Sequence, residues 1–218
     1  MSVDATVFVV DDDSAVRDAL TRLLEAAGFA VEAYPDAEAF LAAYEPHRPG
    51  CLVLDMQMSG MGGVGLQAVL AERKDDRPII FLTAHGTVPT SVRALKHGAF
   101  DFLEKPTEGG ALLMCVRSAL QLDAQHRREA VDRDKAQVRC ATLTQREREI
   151  LPLVVTGGSN KDIARQLGIS HRTVELHRMR IMRKTGAHTV VELAAIAQAA
   201  GLSLNPSHGD DVTTPETY

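Results

Sequence analysis

Short apolar segments alternate with helical patterns five times in the first half of the chain. The strand-like segments are TVFVV, FAVEAY, CLVLD, PIIFLT and AFDFLE, and a segment with helical periodicity follows each of them. This alternation is typical of a parallel sheet with helices on both faces. We therefore predict an α/β fold built on a doubly wound sheet of five parallel strands.

The helices between these strands have recognisable start and stop signals. Ser14 stands where the first helix would begin, Gly28 where it would end, and Asp36 caps the second. The predicted ranges are 14–28, 36–44, 64–73 and 88–97, and a fifth helix starts near Thr107.

Polar residues stand at the carboxyl ends of the predicted strands, where parallel sheets form their functional sites. They are Asp11, Asp12, Asp13, Asp55, Thr83 and Lys105. Clustered carboxylates repel one another, and a hard cation such as Mg²⁺ holds them together through oxygen ligands. With a lysine and a threonine beside it, the cluster predicts a site where a carboxylate oxygen attacks the phosphorus of a phosphoryl group.

Helix capping is the alternative explanation for these aspartates. It suits Asp13 at least as well as a metal site does, because Asp13 lies beside the predicted cap Ser14. For Asp11, Asp12 and Asp55 taken together, we favour the metal site.

The second half of the chain contains helical patterns only. Residues 111–151 lack glycine and proline, and their rising charge density predicts that the fifth helix continues into a helical linker. Four short helices follow at 144–156, 160–167, 170–185 and 189–200, and the tail 205–218 has a flexible composition. We divide the chain into a first domain (1–120), a linker (121–140), a second domain (141–204) and this tail.

The two halves differ in charge. Residues 1–120 carry 10 Lys and Arg against 17 Asp and Glu, whereas residues 141–204 carry 9 against 5. In the basic half, two helices are joined by LGIS, the first capped by Ser159 or Asn160 and the second by Ser170. A short helix, a tight turn and a cationic second helix indicate a helix-turn-helix, with a small protein-binding helical bundle as the alternative.

Composition excludes several other classes. Three widely spaced cysteines without a CxxC pair predict reduced thiols and a cytoplasmic protein. The start of the chain lacks the pattern of a signal peptide, and no apolar run is long enough to span a bilayer, so we expect no membrane contact. The 4% aromatic content gives no indication of stacking on single-stranded nucleic acid.

Residues 6–120 resemble the receiver domain of two-component response regulators, and specifically the FixJ branch, through VVDDD, LDMQM, FLTAHG and DFLEKP. The resemblance implies a flavodoxin-like domain in which Asp55 is the phospho-acceptor and Asp11, Asp12, Asp55 and the Gln57 backbone carbonyl hold Mg²⁺. It further implies that Lys105 contacts the phosphate, that the bond to Pro106 is cis, and that Thr83 and Phe102 form a switch pair. Ala84 leaves access to Asp55, and Gln57 and His85 occupy positions that tune phosphoryl lifetime. From the alternation with Phe100 alone, plain core packing would explain Phe102.

The chain departs from the receiver pattern at two positions. Ser59 replaces the usual proline, and Thr107 replaces the phenylalanine that usually follows Lys-Pro. The surrounding SGMGG segment is expected to be unusually mobile. Neither change removes a chemical group, but both can alter how tightly phosphorylation is coupled to activation.

Residues 143–200 resemble the LuxR/GerE DNA-binding domain through LTQREREIL, SNKDIA, ISHRTVELHR and IMRK. The resemblance places helix 170–185 in the major groove of double-stranded DNA, where Thr173, Glu175, Leu176 and Met179 face base edges. The phosphate contacts would be Asn160, Lys161, Arg172, His177, Arg178 and Lys184. For His177, a satisfied and partly buried histidine is an equally good explanation. The last apolar helix would pair with a second copy.

Together these features predict a DNA-binding response regulator that a histidine kinase phosphorylates, that dimerises on phosphorylation, and that acts with RNA polymerase. We expect no enzymatic activity beyond the phosphorylation and dephosphorylation of Asp55. One alternative is a Mg²⁺-dependent phosphohydrolase, which usually has a second acid two residues after its nucleophile, where this chain has Gln57. The other is a DNA-binding protein whose receiver has lost its function.

Overall fold

The computed structural model describes residues 5–84 and 99–204 and separates into two compact units, Met1–Arg128 and Glu129–Tyr218. The boundary between the units falls inside the segment that we interpreted as a linker. The predicted helix 88–97, His85 and the tail 205–218 lie outside the described residues.

Five parallel strands form the sheet of the first unit, which confirms the predicted α/β fold. The strands are β1 (Thr6–Val10), β2 (Ala30–Tyr34), β3 (Gly50–Asp55), β4 (Ile79–Thr83) and β5 (Asp101–Glu104), in the spatial order β2-β1-β3-β4-β5. Every residue of β1, β3 and β4 is buried. This explains why their sequences are nearly continuous apolar runs, since a parallel sheet is covered on both faces.

Side chains from alternating strand positions enter two cores, one on each face of the sheet. Val9 and Val53 belong to one core, and Val10 and Leu54 to the other. Val10 pairs with Leu54 across β1 and β3, so the residues that follow, Asp11 just after β1 and Asp55 at the end of β3, lie side by side.

The helices of the first unit are α1 (Ser14–Ala26), α2 (Ala37–Ala42) and α3 (Gly63–Glu72), and α4 (Gly109–Ala141) begins there. The prediction of Ser14 as the first cap was wrong, because the Asp13 carboxylate accepts hydrogen bonds from the backbone N–H groups of Ala15 and Val16. Asp13 is therefore a capping residue. The Asp36 cap is confirmed.

Helix α4 runs without interruption for 33 residues, which confirms that the fifth helix continues into the linker segment. Asp123 and Arg127 attach it to the loop before β3. The Asp123 carboxylate accepts from the Gly50 N–H at 3.0 Å and from Arg127 Nε at 2.8 Å, and Arg127 also donates to the carbonyls of His47 and Arg48. The buried Asp123 carboxylate thus has one backbone donor and one cationic donor, both on Oδ2.

The second unit contains α5 (Gln145–Val155), α6 (Asn160–Leu167), α7 (His171–Thr185) and α8 (Val190–Ala199) around one apolar core. Ser159 and Ser170 cap α6 and α7, and Gly168 adopts a left-handed conformation at the end of α6. Left-handed backbone favours glycine, so Gly168 makes the tight turn between these two helices possible.

Gly63 packs against the strand end that carries Asp55, and this contact can be tested. A Cβ on Gly63 would lie 2.3 Å from the Asp55 carbonyl oxygen, whereas a Cβ on Gly110 would meet nothing within 4 Å. We expect Gly63→Ala to lower the free energy of unfolding by about 1–3 kcal/mol, the usual cost of overpacking. Chemical denaturation should show no loss for the control Gly110→Ala; equal stability of the two variants would contradict this packing.

Candidate functional site

Three carboxylates meet at the carboxyl ends of β1 and β3. One oxygen from each of Asp11, Asp12 and Asp55 lies within 4.8 Å of the others. Asp11 and Asp55 are buried, with 1% and 7% exposure, while Asp12 is exposed. Three like charges at this separation repel strongly unless cations or hydrogen-bond donors offset them.

Lys105 supplies a positive charge that offsets part of this repulsion. Its Nζ donates to Asp11 Oδ2 at 2.7 Å and lies 3.2 Å from Asp55 Oδ1. Its backbone N–H donates to the Thr83 carbonyl at 2.8 Å, which holds the residue against the end of β4. Burial alone would lower the pKa of Lys105, but the two carboxylates outweigh burial and raise it. Lys105 therefore stays charged, and its bond to Pro106 is cis, as the resemblance implied.

Burial raises the pKa of Asp55, and the nearby Asp11 charge acts in the same direction. Lys105 and a hydrogen bond from the Gln57 backbone N–H act in the opposite direction. The net effect is an electrostatic penalty on the charged form of Asp55, the predicted phospho-acceptor. A divalent cation or an added positive group would relieve it.

The glycine-rich loop after β3 is attached at two points. Ser59 N–H donates to Asp12 Oδ2 at 3.0 Å, and Met61 N–H donates to Glu38 Oε1 at 3.3 Å. Gly60, between them, has a φ of 74°. The unusual mobility expected of this segment stays a prediction, but the described conformation connects it directly to the carboxylate cluster.

The predicted switch residues lie at the ends of β4 and β5. Thr83 is buried at the end of β4, and Ala84, which follows it, is exposed. The Phe102 ring stacks on Phe81 with 5.2 Å between ring centroids and packs against the core that contains Phe8.

Three of the four predicted base-reading side chains of α7 are exposed, while Thr173 is half-buried and its hydroxyl shares a hydrogen bond with the Ser170 hydroxyl at 2.8 Å. Leu176 and Met179 are 39% and 56% exposed, and Glu175 is exposed beside them. Leu176 and Met179 are three residues apart and so lie on one face of the helix, and neighbouring apolar side chains exposed together are typical of a contact surface. Among the predicted phosphate contacts, Lys161 and Arg172 are exposed, and Asn160 is half-buried at the start of α6.

Three of the predicted phosphate contacts are either partly buried or hydrogen-bonded inside the second unit. Lys184 Nζ donates to the buried Glu147 carboxylate at 2.6 Å and to the Thr142 carbonyl at 3.0 Å. Arg178 donates to the Gly158 carbonyl at 3.2 Å. His177 is half-buried, and its Nδ1 is inaccessible and has no hydrogen-bond partner among the described residues. The structure therefore gives Lys184 and Arg178 roles inside the domain.

Sequence reasoning missed Glu147 and Glu38. Glu147 is the third residue after Thr144, and the two form a capping box at the start of α5. The TQRE spacing was a detectable signal for that box. Nothing in the sequence indicated that Glu38 would accept a hydrogen bond from Met61, 23 residues away.

Both units match known protein families. The receiver domain of response regulators matches residues 7–117, and the LuxR family of bacterial regulatory proteins matches residues 141–197. The chain therefore belongs to the response regulators that join a receiver domain to a LuxR-type DNA-binding domain.

Relatives place it more narrowly among the FixJ-like transcription regulators. Transcriptional regulatory protein FixJ of Bradyrhizobium diazoefficiens is 41% identical over 203 residues, which make up 93% of this chain and 98% of FixJ. Transcriptional regulatory protein TdiR of Thauera aromatica is 45% identical over 189 residues, covering 87% of this chain and 83% of TdiR.

Solved structures of response regulators also resemble this chain over most of its length. The response regulator StyR matches with a TM-score of 0.76 at 44% identity, covering 90% of this chain and 99% of StyR. Full-length FixJ from B. japonicum matches with a TM-score of 0.57 at 39% identity, covering 91% of this chain and 98% of that FixJ chain.

Within residues 5–84 and 99–204, no helix combines the length and apolar character needed to cross a membrane. The three cysteines are free and buried, so the prediction of unpaired thiols is confirmed.

The pair formed by Glu147 and Lys184 gives a prediction about stability. Lys184→Met leaves a buried carboxylate without its cation, and should lower the free energy of unfolding of the second unit by about 1–3 kcal/mol. Lys184 and Thr144 lower the pKa of Glu147 against the opposing effect of burial. The stabilisation is therefore present at neutral pH and is lost as pH falls through that lowered pKa.

Hydrogen exchange of the α5 and α7 amides at neutral and acidic pH measures this effect. The control is Arg172→Met on the same helix, which should weaken DNA binding without loosening the domain. Unchanged exchange in Lys184→Met, together with weaker DNA binding, would show instead that Lys184 acts on phosphate.

Proposed function

We propose that the chain is a phosphorylation-activated transcription regulator in which Asp55 accepts a phosphoryl group from a histidine kinase. The position of Asp55 carries this proposal. Its carboxylate lies 3.2 Å from Lys105 Nζ and shares a cluster with Asp11 and Asp12. A carboxylate nucleophile, a fixed cation and further oxygen ligands are the groups that phosphoryl transfer to aspartate requires.

The carboxylate cluster fits a magnesium ion. Mg²⁺ prefers oxygen ligands, keeps several waters and binds through a few carboxylates together with phosphate. Asp11, Asp12 and Asp55 would hold it, with the Gln57 backbone carbonyl added by the family resemblance. When bound, the ion would neutralise charge on the phosphoryl oxygens.

In the transfer step, an oxygen of Asp55 attacks phosphorus in line. The bond between phosphorus and the imidazole nitrogen of the kinase breaks, and the imidazole keeps the electron pair and takes a proton. Lys105 supports this step because its ammonium group already lies beside Asp55 Oδ1. The small Ala84 leaves the approach to Asp55 open.

Phosphorylation would act through Thr83 and Phe102. The phosphoryl group adds charge and acceptor oxygens at Asp55, and movement of the Thr83 hydroxyl toward one of them would change the packing around Phe102. The phosphoryl group shifts the equilibrium only as far as it binds the active conformation better. That conformation would favour dimers of the receiver.

The second unit would deliver the response on double-stranded DNA. Helix α7 would enter the major groove with Thr173, Glu175, Leu176 and Met179 toward base edges. Exposed cations, among them Lys161 and Arg172, would contact phosphates and make binding sensitive to salt. RNA polymerase is the implied downstream partner, and the free thiols support a reducing, cytoplasmic location.

We further propose that the chain has no enzymatic turnover on external substrates. A phosphohydrolase that forms an aspartyl-phosphate usually has a second acid two residues after the nucleophile, and this chain has Gln57 there. Steady multiple turnover on a phosphomonoester would contradict this assignment.

The test compares wild type with Asp55→Asn, with and without acetyl phosphate and Mg²⁺. Light scattering gives the oligomeric mass, and fluorescence anisotropy gives the affinity for a DNA site selected with the isolated chain. We expect the phosphodonor to drive wild type toward a dimer and to tighten DNA binding by about tenfold, the scale of typical coupling free energies. Asp55→Asn should not respond.

Asp76→Asn is the matched control, because it removes an exposed carboxylate of the same unit that is outside the cluster. It should behave as wild type. If wild type and Asp55→Asn bind and assemble alike under all conditions, the receiver is not a phosphorylation switch, and the alternative of a receiver without function would stand.

A further inference from the structure

Asp12 differs from the other two carboxylates in how it is held. Asp11 is buried and accepts from Lys105 and from the Asp13 N–H, and Asp55 is buried beside the same lysine. Asp12 is exposed, and its Oδ2 accepts from the Ser59 N–H at 3.0 Å. Its orientation toward the cluster therefore depends on a loop residue, Ser59, that lies 47 residues further along the chain.

The donor in this contact is the backbone and not the serine hydroxyl. Nineteen of the twenty amino acids could supply that N–H at position 59, and proline is the exception because its ring removes the donor. The hydrogen bond occupies one of the lone pairs of Oδ2, and a carboxylate has about four acceptor sites in all, so Asp12 can still bind a cation.

We propose that the Ser59 backbone N–H is a positioning group that orients Asp12 for a divalent cation. The inference rests on the proposed function, since it concerns the same carboxylate cluster. Carboxylates that bind metals are themselves hydrogen-bonded, and loss of such an outer partner typically weakens metal affinity about 10–100-fold. Without this N–H donor, the exposed Asp12 side chain would sample several rotamers, and binding a cation would have to restrict it again.

Glu38 holds the donor in place from the other side of the loop. Its Oε1 accepts from the Met61 N–H, and a Cβ on Gly60 would lie 3.3 Å from the same oxygen. Glu38 belongs to α2 and is not a member of the cluster. The loop is thus held between two acidic side chains, and its position can be disturbed without changing a cation ligand.

Mg²⁺ binding to the unphosphorylated full chain, measured by titration calorimetry, tests the proposal. Ser59→Ala keeps the N–H and should bind as wild type does, while Ser59→Pro removes it and should bind about tenfold more weakly. Thermal unfolding and circular dichroism show whether each variant is folded. Equal or tighter binding by folded Ser59→Pro would overturn the proposal, as would equal weakening by Ser59→Ala, which would assign the effect to the hydroxyl.

A second pair of variants avoids proline. Glu38→Gln keeps an acceptor for Met61 and removes the charge, whereas Glu38→Ala removes both. A few-fold weaker affinity for Glu38→Ala than for Glu38→Gln is expected, on the scale of one lost hydrogen bond. Equal affinities would overturn the part assigned to Glu38. If wild type itself binds no Mg²⁺, the inference and the metal part of the proposed function fail together. If wild type binds Mg²⁺ and the Ser59 and Glu38 variants bind it equally well, the inference alone fails.

Discussion

The charge of Lys105, held between Asp11 and Asp55, is the interaction on which the receiver site depends. Buried strands β1 and β3 end side by side, which brings Asp11, directly after β1, close to Asp55, the last residue of β3. The lysine reaches both, at 2.7 and 3.2 Å, and is itself attached to the end of β4 through its backbone N–H. The Lys105 ammonium therefore offsets enough repulsion to make the carboxylate cluster compatible with the fold. The remaining negative charge of the cluster can attract a further cation.

The second unit uses a similar pair for a different purpose. Lys184 and Glu147 form a partly buried contact that connects α7 to the start of α5, and in the described part of the chain no cluster of possible metal ligands includes it. Two lysines that both suggested phosphate contacts in the sequence thus have different surroundings. Lys105 is beside a carboxylate cluster at a strand end, whereas Lys184 satisfies a single carboxylate inside a helical domain.

Sequence patterns predicted the strands well because β1, β3 and β4 are buried on both faces and must be apolar throughout. The carboxylate cluster was also predictable, since the ends of adjacent parallel strands converge. The choice between Asp13 and Ser14 as the cap of α1 could not be predicted, because both residue types favour capping and only the hydrogen bonds in the folded structure decide between them. Contacts such as Ser59 with Asp12 and Lys184 with Glu147 depend on how distant segments pack, which local patterns do not encode.

The most direct test of the central claim is to locate the phosphoryl group. After reaction with acetyl phosphate and Mg²⁺, borohydride reduces an aspartyl-phosphate to homoserine, which peptide mass spectrometry can assign to one position. We predict homoserine at Asp55 in wild type and a strong loss of that signal in Lys105→Ala. Modification at Asp11 or Asp12 in wild type, or none in the peptide that contains Asp55, would contradict the account.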